Sequence, residues 1–460
     1  MSFHLTYATM FNPPEEMHAR FEAALAALRP KLGATHGLFI DGADVPAAVI
    51  APRPSPIDVD QNLGHFAVAD GAHVEQAMQA ARAAFPAWRA ASVAERVRLV
   101  RRVGEVMQER VYEIAAALSL EVGKNRMEAL GEAQETVDFF SYYAADYESH
   151  AGYEHALPND PLAGFVSSNR SVMRPYGVWV VIAPFNFPLA LAGGPVAAAL
   201  VTGNTVVVKG ASDTPWAGRL LADCVRDAGL PAGVFNYLSG TGREAGEALV
   251  AHPHTAGVTF TGSAAVGMHI LGRMAGGAYP RPCIAEMGGK NPCIVTGRAN
   301  LDHAAQGIVR SAFGMGGQKC SAASRLYVEQ TVADELFERI TALVAAIRIG
   351  DPLLRENWLG PVVNSSAHAN YARYVDELSS GGARFLAGGR QLREDGLGRG
   401  YYVEPVLAEA DLGHRLWSHE MFLPILMVHR FRNRDEAMAL ANDSDLGLTA
   451  GFYGAADEVP

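Results

Sequence analysis

A cysteine does nucleophilic chemistry only as its thiolate, and the stretch from Ser311 to Arg325, SAFGMGGQKCSAASR, surrounds Cys320 with what a thiolate needs. Gly314, Gly316 and Gly317 let the backbone come close to a ligand, Lys319 is a neighbouring cation, and Ser321, Ala322 and Ala323 leave the sulfur uncrowded. Alone this signal is weak, because most cysteines in soluble intracellular chains are small buried hydrophobes. A second chemical group lies 34 positions upstream: Glu286, in CIAEMGGKNPCIV (283–295), ends an apolar strand just before Gly288 and Gly289. Desolvation at such a place is expected to raise a carboxylate's pKa, which suits a general base working near neutral pH. The structural alternative is a buried Glu286 paired with Lys290.

These groups need a scaffold. From Tyr176 onward, apolar runs at 178–184, 205–209, 233–239 and 257–262 alternate with helical stretches near 189–202, 214–228, 243–251 and 264–273. β-branched runs bounded by Gly or Pro, with ten to fifteen helical residues between them, predict parallel strands with crossover helices, a doubly wound nucleotide-binding sheet. Ligands of such sheets sit beyond the strands' carboxyl ends. The residues there are Pro184-Phe185-Asn186-Phe187-Pro188, Lys209 to Ser212, Gly240-Thr241-Gly242, and Thr261-Gly262-Ser263 leading to Gly267. Gly262 and Ser263 open a helix directly after a strand, an arrangement that suits a pyrophosphate. The spacing is neither GxGxxG nor a P-loop, which weighs against ATP hydrolysis. Lys209, at a strand tip, reads either as a ligand for ribose or phosphate or as a surface lysine.

Upstream, Glu15 to Leu28 places Met17, Phe21, Leu25 and Leu28 on one helical face, and a short strand follows at 38–41. Helices are predicted at 72–88, 94–122 and 125–147, with ordinary solvated polar faces. The segment 151–175 changes to turn residues and short alternating pieces, and reads as a small hairpin or a surface loop.

Composition narrows the class. The 460 residues are 49% apolar and 19% charged, an ordered globular balance, and the net charge of −11 works against nucleic acid or an anionic membrane as partner. Cys224, Cys283, Cys293 and Cys320 show no CxxC or zinc spacing, so reduced thiols in the cytoplasm and no metal are expected. The uncharged run from Val178 to Val201 is long enough to span a bilayer, but Pro184, Pro188, Pro195 and the Gly193-Gly194 pair break it into strand, turn and helix. The opening MSFHLTYATMF lacks the pattern of a secretory leader.

Taken in order, PFNFP, VVVK, FTGSxxVG, EMGGKNP, GQKCSAASR and HEMFLP (419–424) resemble the aldehyde dehydrogenase superfamily over essentially the whole chain. That resemblance implies an α/β fold: a Rossmann-type dinucleotide-binding domain (1–150 and 176–286), a bridging or oligomerisation hairpin (151–175) and a catalytic domain (287–460). It also implies chemistry. Cys320 attacks the aldehyde, the Asn186 amide and the Cys320 backbone N–H hold the oxyanion, hydride passes to a nicotinamide, and Glu286 activates the water that cleaves the thioester. Lys209 and Glu420 would hold ribose hydroxyls and Ser263 the pyrophosphate. Pro184, Ser212, Gly242, Gly262, Gly267 and Phe422 complete the cofactor set, and Ser321 and Phe187 meet the substrate. A thioester released to water needs a base, so Glu286 favours a carboxylic acid over an acyl-CoA product.

Within the superfamily the likeness is greatest to the 1-pyrroline-5-carboxylate dehydrogenases, which oxidise L-glutamate γ-semialdehyde, on the strength of EVGKN, EAxxTVDFFSYYA (132–144) and GQKCSAASRL. The implied cofactor is NAD and the implied assembly a homodimer or larger homo-oligomer. Ser212 stands where the family often has Glu, so NADP is expected to be tolerated. Leu423 replaces a usual Gly, which is expected to shift the loop after Phe422. The family normally continues for roughly fifty residues beyond the equivalent of Pro460, so the sequence is expected to be an incomplete record of a longer enzyme. The competing readings are a different semialdehyde or aliphatic aldehyde as substrate, a cofactor-binding protein without activity, and a thioesterase or esterase using Cys320 and Glu286 alone.

Overall fold

The computed structural model describes residues 13–459; the opening MSFHLTYATMF lies outside them. The chain forms two compact units. One holds residues up to Arg53, Asn62–Ala117 and Ala129–Glu286; the other holds Pro54–Gln61, Leu118–Glu128 and Met287 onward.

The first unit is built on a seven-stranded sheet of β1 (Leu38–Ile40), β2 (Ala43–Val45), β3 (Val178–Ile182), β4 (Thr205–Lys209), β5 (Phe235–Leu238), β6 (Thr255–Thr261) and β7 (Cys283–Glu286), in the order β7-β6-β3-β4-β5-β1-β2. β7 through β5 run parallel, and the β1–β2 hairpin adds an antiparallel edge. Helices flank the central strands, so Val206, Val207 and Val208 of β4 have no exposure at all, the all-apolar pattern of a sheet covered on both sides. The helix Glu15–Leu28 buries Met17, Phe21, Leu25 and Leu28 as its spacing predicts. Between Glu154–Leu157 and Asn169–Val172 runs an antiparallel hairpin, with Phe165 and Val166 exposed between its strands.

Several expectations need correction. The helix expected over 94–122 is two, Val93–Glu109 and Val111–Val122, because Arg110 leaves helical geometry. The stretch 243–251 opens as a wide π turn, Gly242–Gly246, before the short helix Glu247–Ala251. The long helix Arg126–Ser149 does not have a merely solvated polar face: Glu132, Gln134 and Thr136 are all buried. The run 283–295 is not one strand. Cys283–Glu286 closes the edge of the first sheet, while Asn291–Val295 belongs to the second.

That second sheet comprises β8 (Asn291–Val295), β9 (Ala323–Glu329), β10 (Arg384–Ala387), β11 (Val406–Glu409), β12 (Ile425–Phe431) and β13 (Gly451–Tyr453), in the order β10-β11-β12-β9-β8-β13. All its pairings are parallel except β10–β11. Two apolar clusters cover its faces, one under Leu301–Phe313 and Ala333–Ala345, the other under Ser365–Ser380 with Trp417. Among the described residues no helix is long and apolar enough to cross a membrane; the run 178–201 forms β3 and the helix Ala190–Val201.

Candidate active site

Parallel pairing aligns the strand tips of the first unit. Ile182 lies opposite Lys209, Lys209 opposite Leu238, Phe260 opposite Ile182, and Thr261 opposite Glu286. Pro184, Asn186 and Phe187 follow β3, Ser212 follows β4, Gly242 follows β5, and Gly262, Ser263 and Gly267 follow β6, so ten of the sequence-chosen residues, counting Lys209 and Glu286, stand at one end of one sheet. Lys209 is 6% exposed; burial pushes its ammonium down to about 8, with Asp213 opposing that shift. Ser263 precedes the helix Ala264–Ala275 and its hydroxyl does not cap it, leaving that side chain and the helix N-terminus for a phosphate. The strand-tip lysine, glycine turn and uncapped helix fit a dinucleotide's ribose and pyrophosphate. Ser212 has an exposed side chain whose hydroxyl donates to Gly240 O at 3.0 Å.

Asn186 is 3% exposed, in the turn that leads into the helix Ala190–Val201. Glu132, itself buried, accepts the N–H groups of Leu189 (2.8 Å) and Ala190 (3.2 Å) and so anchors that turn to the helix start. The sequence offered no sign of this, since Glu132 sits among polar residues of an ordinary-looking helix.

Glu286 differs from expectation. It is exposed rather than buried, because β7 is the edge strand of its sheet and its tip is left uncovered. Lys290, its alternative partner, belongs to the second unit. Glu286 lies on the rim of a largely apolar groove of about 790 Å³ with Tyr176, Trp179, Leu191, Thr259 and Ile284.

In the second unit Cys320 follows a tight turn, Gly314–Gly317, in which Met315, Gly316 and Gly317 all have left-handed backbones (φ 55°, 63° and 67°). A left-handed Met is strained unless its surroundings hold it. Here they do: the half-buried Glu128 accepts the Met315 N–H at 2.7 Å, and the side chain of Gln318 donates to Met315 O at 3.1 Å while accepting the Val363 N–H at 3.0 Å. Burial raises the Glu128 carboxyl, with Lys319 and Lys124 opposing; burial lowers Lys319, with Glu128 opposing it and Cys320 among the groups that favour its charge. Cys320 is half-buried, whereas Cys224 and Cys293 are buried with thiols pushed up to about 12, and burial raises Cys283 too.

Glu420 is held beside Gly289. Its Oε1 accepts the Gly289 N–H at 3.0 Å, and burial raises its pKa, with that bond and Lys290 opposing. A Cβ on Gly289 would stand 2.5 Å from Cys320 O, so only glycine lets the two backbones meet. Phe422 is left-handed (φ 55°), and Leu423, expected to shift this loop, is buried with its carbonyl packed against Gly317. Ser321 is exposed, at the edge of a 270 Å³ pocket with Thr449. Thus Cys320 and Glu420 share one neighbourhood in the second unit, and Asn186, Lys209, Ser263 and Glu286 share one sheet end in the first. Among the described residues no group of three or more His, Cys, Asp or Glu side chains is arranged to hold a metal ion.

Comparison with known proteins places these features. Residues 49–459 match the model of the aldehyde dehydrogenase family. A 1-pyrroline-5-carboxylate dehydrogenase of Geobacillus thermodenitrificans (strain NG80-2) is 36% identical over 434 residues, 93% of this chain and 82% of the relative. The enzyme of the same name from Bacillus subtilis (strain 168) is 36% identical over 437 residues, 94% of this chain and 83% of its own. The crystal structure of 1-pyrroline-5-carboxylate dehydrogenase from Thermus with bound NAD superposes with a TM-score of 0.91 at 32% identity, covering 99% of this chain and 87% of that one. With a family match across most of its length and its strand tips and cysteine turn arranged as described, the chain belongs to the aldehyde dehydrogenase family.

Proposed function

We propose that this aldehyde dehydrogenase oxidises L-glutamate γ-semialdehyde to L-glutamate with NAD, and accepts NADP. The observation that carries the chemistry is the contrast among the four thiols: Cys320 alone follows a held turn with Lys319 beside it, while burial raises the other three. The substrate reading is supported by the names of the relatives and by the NAD in the Thermus structure.

The Cys320 thiolate adds to the aldehyde carbon, and the oxyanion formed is held by the Asn186 amide and the Cys320 N–H. Bound NAD supplies the acceptor for the hydride lost from that carbon, which leaves a thioester on Cys320. Glu286 takes a proton from water as the water adds to the thioester; the acid leaves and the thiolate returns. The exposure of Glu286 leaves its carboxylate open to the water it activates. Lys209 and Glu420 would hold the cofactor's ribose hydroxyls and Ser263 its pyrophosphate, and Pro184, Gly242, Gly262, Gly267 and Phe422 would complete the set. The Ser212 hydroxyl, lacking a carboxylate's charge, admits a 2′-phosphate. Ser321 binds the substrate carboxylate and Phe187 packs on its chain. The first unit forms the dinucleotide domain and the second the catalytic domain, with Pro54–Gln61 and Leu118–Glu128 belonging to the second and not, as the expected boundary at 150 had it, to the first; the hairpin within 151–175, with its exposed apolar tip, joins subunits of a homodimer or larger assembly. The net charge of −11 and four thiols without a disulfide support a cytoplasmic setting.

Steady-state assays of a semialdehyde and aliphatic-aldehyde panel with NAD and with NADP test this reading. Glutamate γ-semialdehyde should give the highest kcat/KM, and Cys320→Ala should abolish turnover of every substrate. A better simple aldehyde overturns the substrate, no turnover with NADP overturns the role of Ser212, and full activity in Cys320→Ala overturns the mechanism.

A further inference from the structure

Asn291 opens β8 with its side chain 3% exposed and all its hydrogen-bonding groups committed to backbone elsewhere. Its Nδ2 donates to Cys320 O at 2.7 Å and to Ala322 O at 2.9 Å, and its Oδ1 accepts the Thr449 N–H at 3.0 Å. The Thr449 hydroxyl donates to the carbonyl between them, Ser321 O, at 3.2 Å. Three consecutive carbonyls, from the nucleophile onward, are therefore held by two side chains distant in sequence. Pro292 confines Asn291 to an extended backbone, and Gly289, two residues earlier, lets the same segment approach Cys320 O.

We propose that Asn291, assisted by Thr449, is a positioning residue for the nucleophile: its amide fixes the peptide plane that follows Cys320 and thereby the direction in which the sulfur points. This rests on Cys320 being the nucleophile. An amide is the group the place requires. Two N–H bonds of one nitrogen reach two carbonyls while the amide oxygen takes an N–H, whereas a side chain of similar size without donors leaves two buried carbonyls facing each other unpaired. The turn before Cys320 is held from its other side by Glu128 and Gln318, so releasing the carbonyls should swing the segment after the sulfur and leave Met315 in place.

The test uses the full chain carrying Asn291→Leu, which matches the size without donors or charge, and Asn291→Ser, which restores one short donor. Each is followed by the rate of iodoacetamide modification of Cys320 against pH, read by peptide mass mapping with Cys283 as internal reference, and by kcat, KM and NAD affinity. Asn291→Leu should slow Cys320 modification at its pH plateau and lower kcat on the order of a hundredfold, the cost of a misplacement near an ångström. NAD affinity and Cys283 labelling should stay unchanged, and Asn291→Ser should lie between Leu and the parent. Parent-like Cys320 labelling in either folded variant overturns the proposal, as does equal loss in both together with weakened NAD binding, which marks a general structural role. If Asn291→Leu does not fold, the Ser variant decides by the same criteria. Labelling reports the turn whatever the substrate; activity surviving in Cys320→Ala would instead overturn the nucleophile reading on which the proposal rests.

Discussion

The strand tips of the first unit and the cysteine turn of the second reach chemical order by different means. At the strand tips the order is topological: once β3, β4, β5, β6 and β7 pair in parallel, Asn186, Lys209, Gly242, Ser263 and Glu286 follow at one end, whatever the side chains do. At the cysteine turn it is bought by side chains. Asn291, Thr449, Glu128 and Gln318 each hold a backbone group within a few residues of Cys320, and the left-handed Met315 depends on that support. A region ordered by topology tolerates most single substitutions around it, and a region ordered by clamps does not.

The largest effect that sharpens this contrast is expected from Gly289→Ala. The added methyl meets the Cys320 carbonyl, a backbone atom that cannot rotate away, so kcat/KM should fall on the order of a hundredfold or more. Steady-state kinetics with a check of Tm decide it, and a near-parent kcat/KM would show the turn to be less constrained than described. Next comes Glu132→Gln in the first unit. It keeps an acceptor for the helix start but loses the charge, and should cost about 1–2 kcal/mol in urea unfolding with a modest fall in kcat. A kcat loss as deep as that of Gly289→Ala would erase the difference between the two regions.

The smallest effect is a pH dependence of stability. Lys290 is fully buried, with no hydrogen-bond partner for its Nζ among the described residues; burial pushes its ammonium down to about 7, Arg325 adds to that, and Glu420 opposes it. Unfolded, the same lysine titrates near ~10.4. Between those values the unfolded chain binds more protons, so this group's penalty is full below about pH 7 and is relieved as pH rises toward ~10. Lys290→Met should therefore raise Tm more at about pH 6 than at about pH 9, and an equal shift at both would show that the lysine stays charged in the fold.

What the residues alone revealed follows the same division. Runs such as TVVVK announce parallel strands because every position must be apolar when both faces are covered, and the tips then name themselves. Cys320 stands out among the four cysteines by its glycines and its lysine. The clamps were not: Asn291 reads as one more residue of EMGGKNP, and Thr449 lies far down the chain, so nothing local ties either to the cysteine. Glu132 was hidden by helical periodicity, which shows which side is polar but not what packs against it. The exposure of Glu286 was missed because a strand's apolar run does not reveal whether the strand is central or at an edge. The break at Glu286, where one apolar run feeds two sheets, was hidden by the same continuity.

In the proposed mechanism Cys320 carries the acyl group and Glu286 takes the proton of the water that releases it, and mass mapping of Glu286→Gln during a single turnover separates the two roles. With NAD and aldehyde this variant should give one stoichiometric burst of reduced cofactor, followed by slow release, and carry the acyl group of the substrate on the peptide that contains Cys320. Normal steady turnover, or a burst that leaves Cys320 unmodified, would contradict the account.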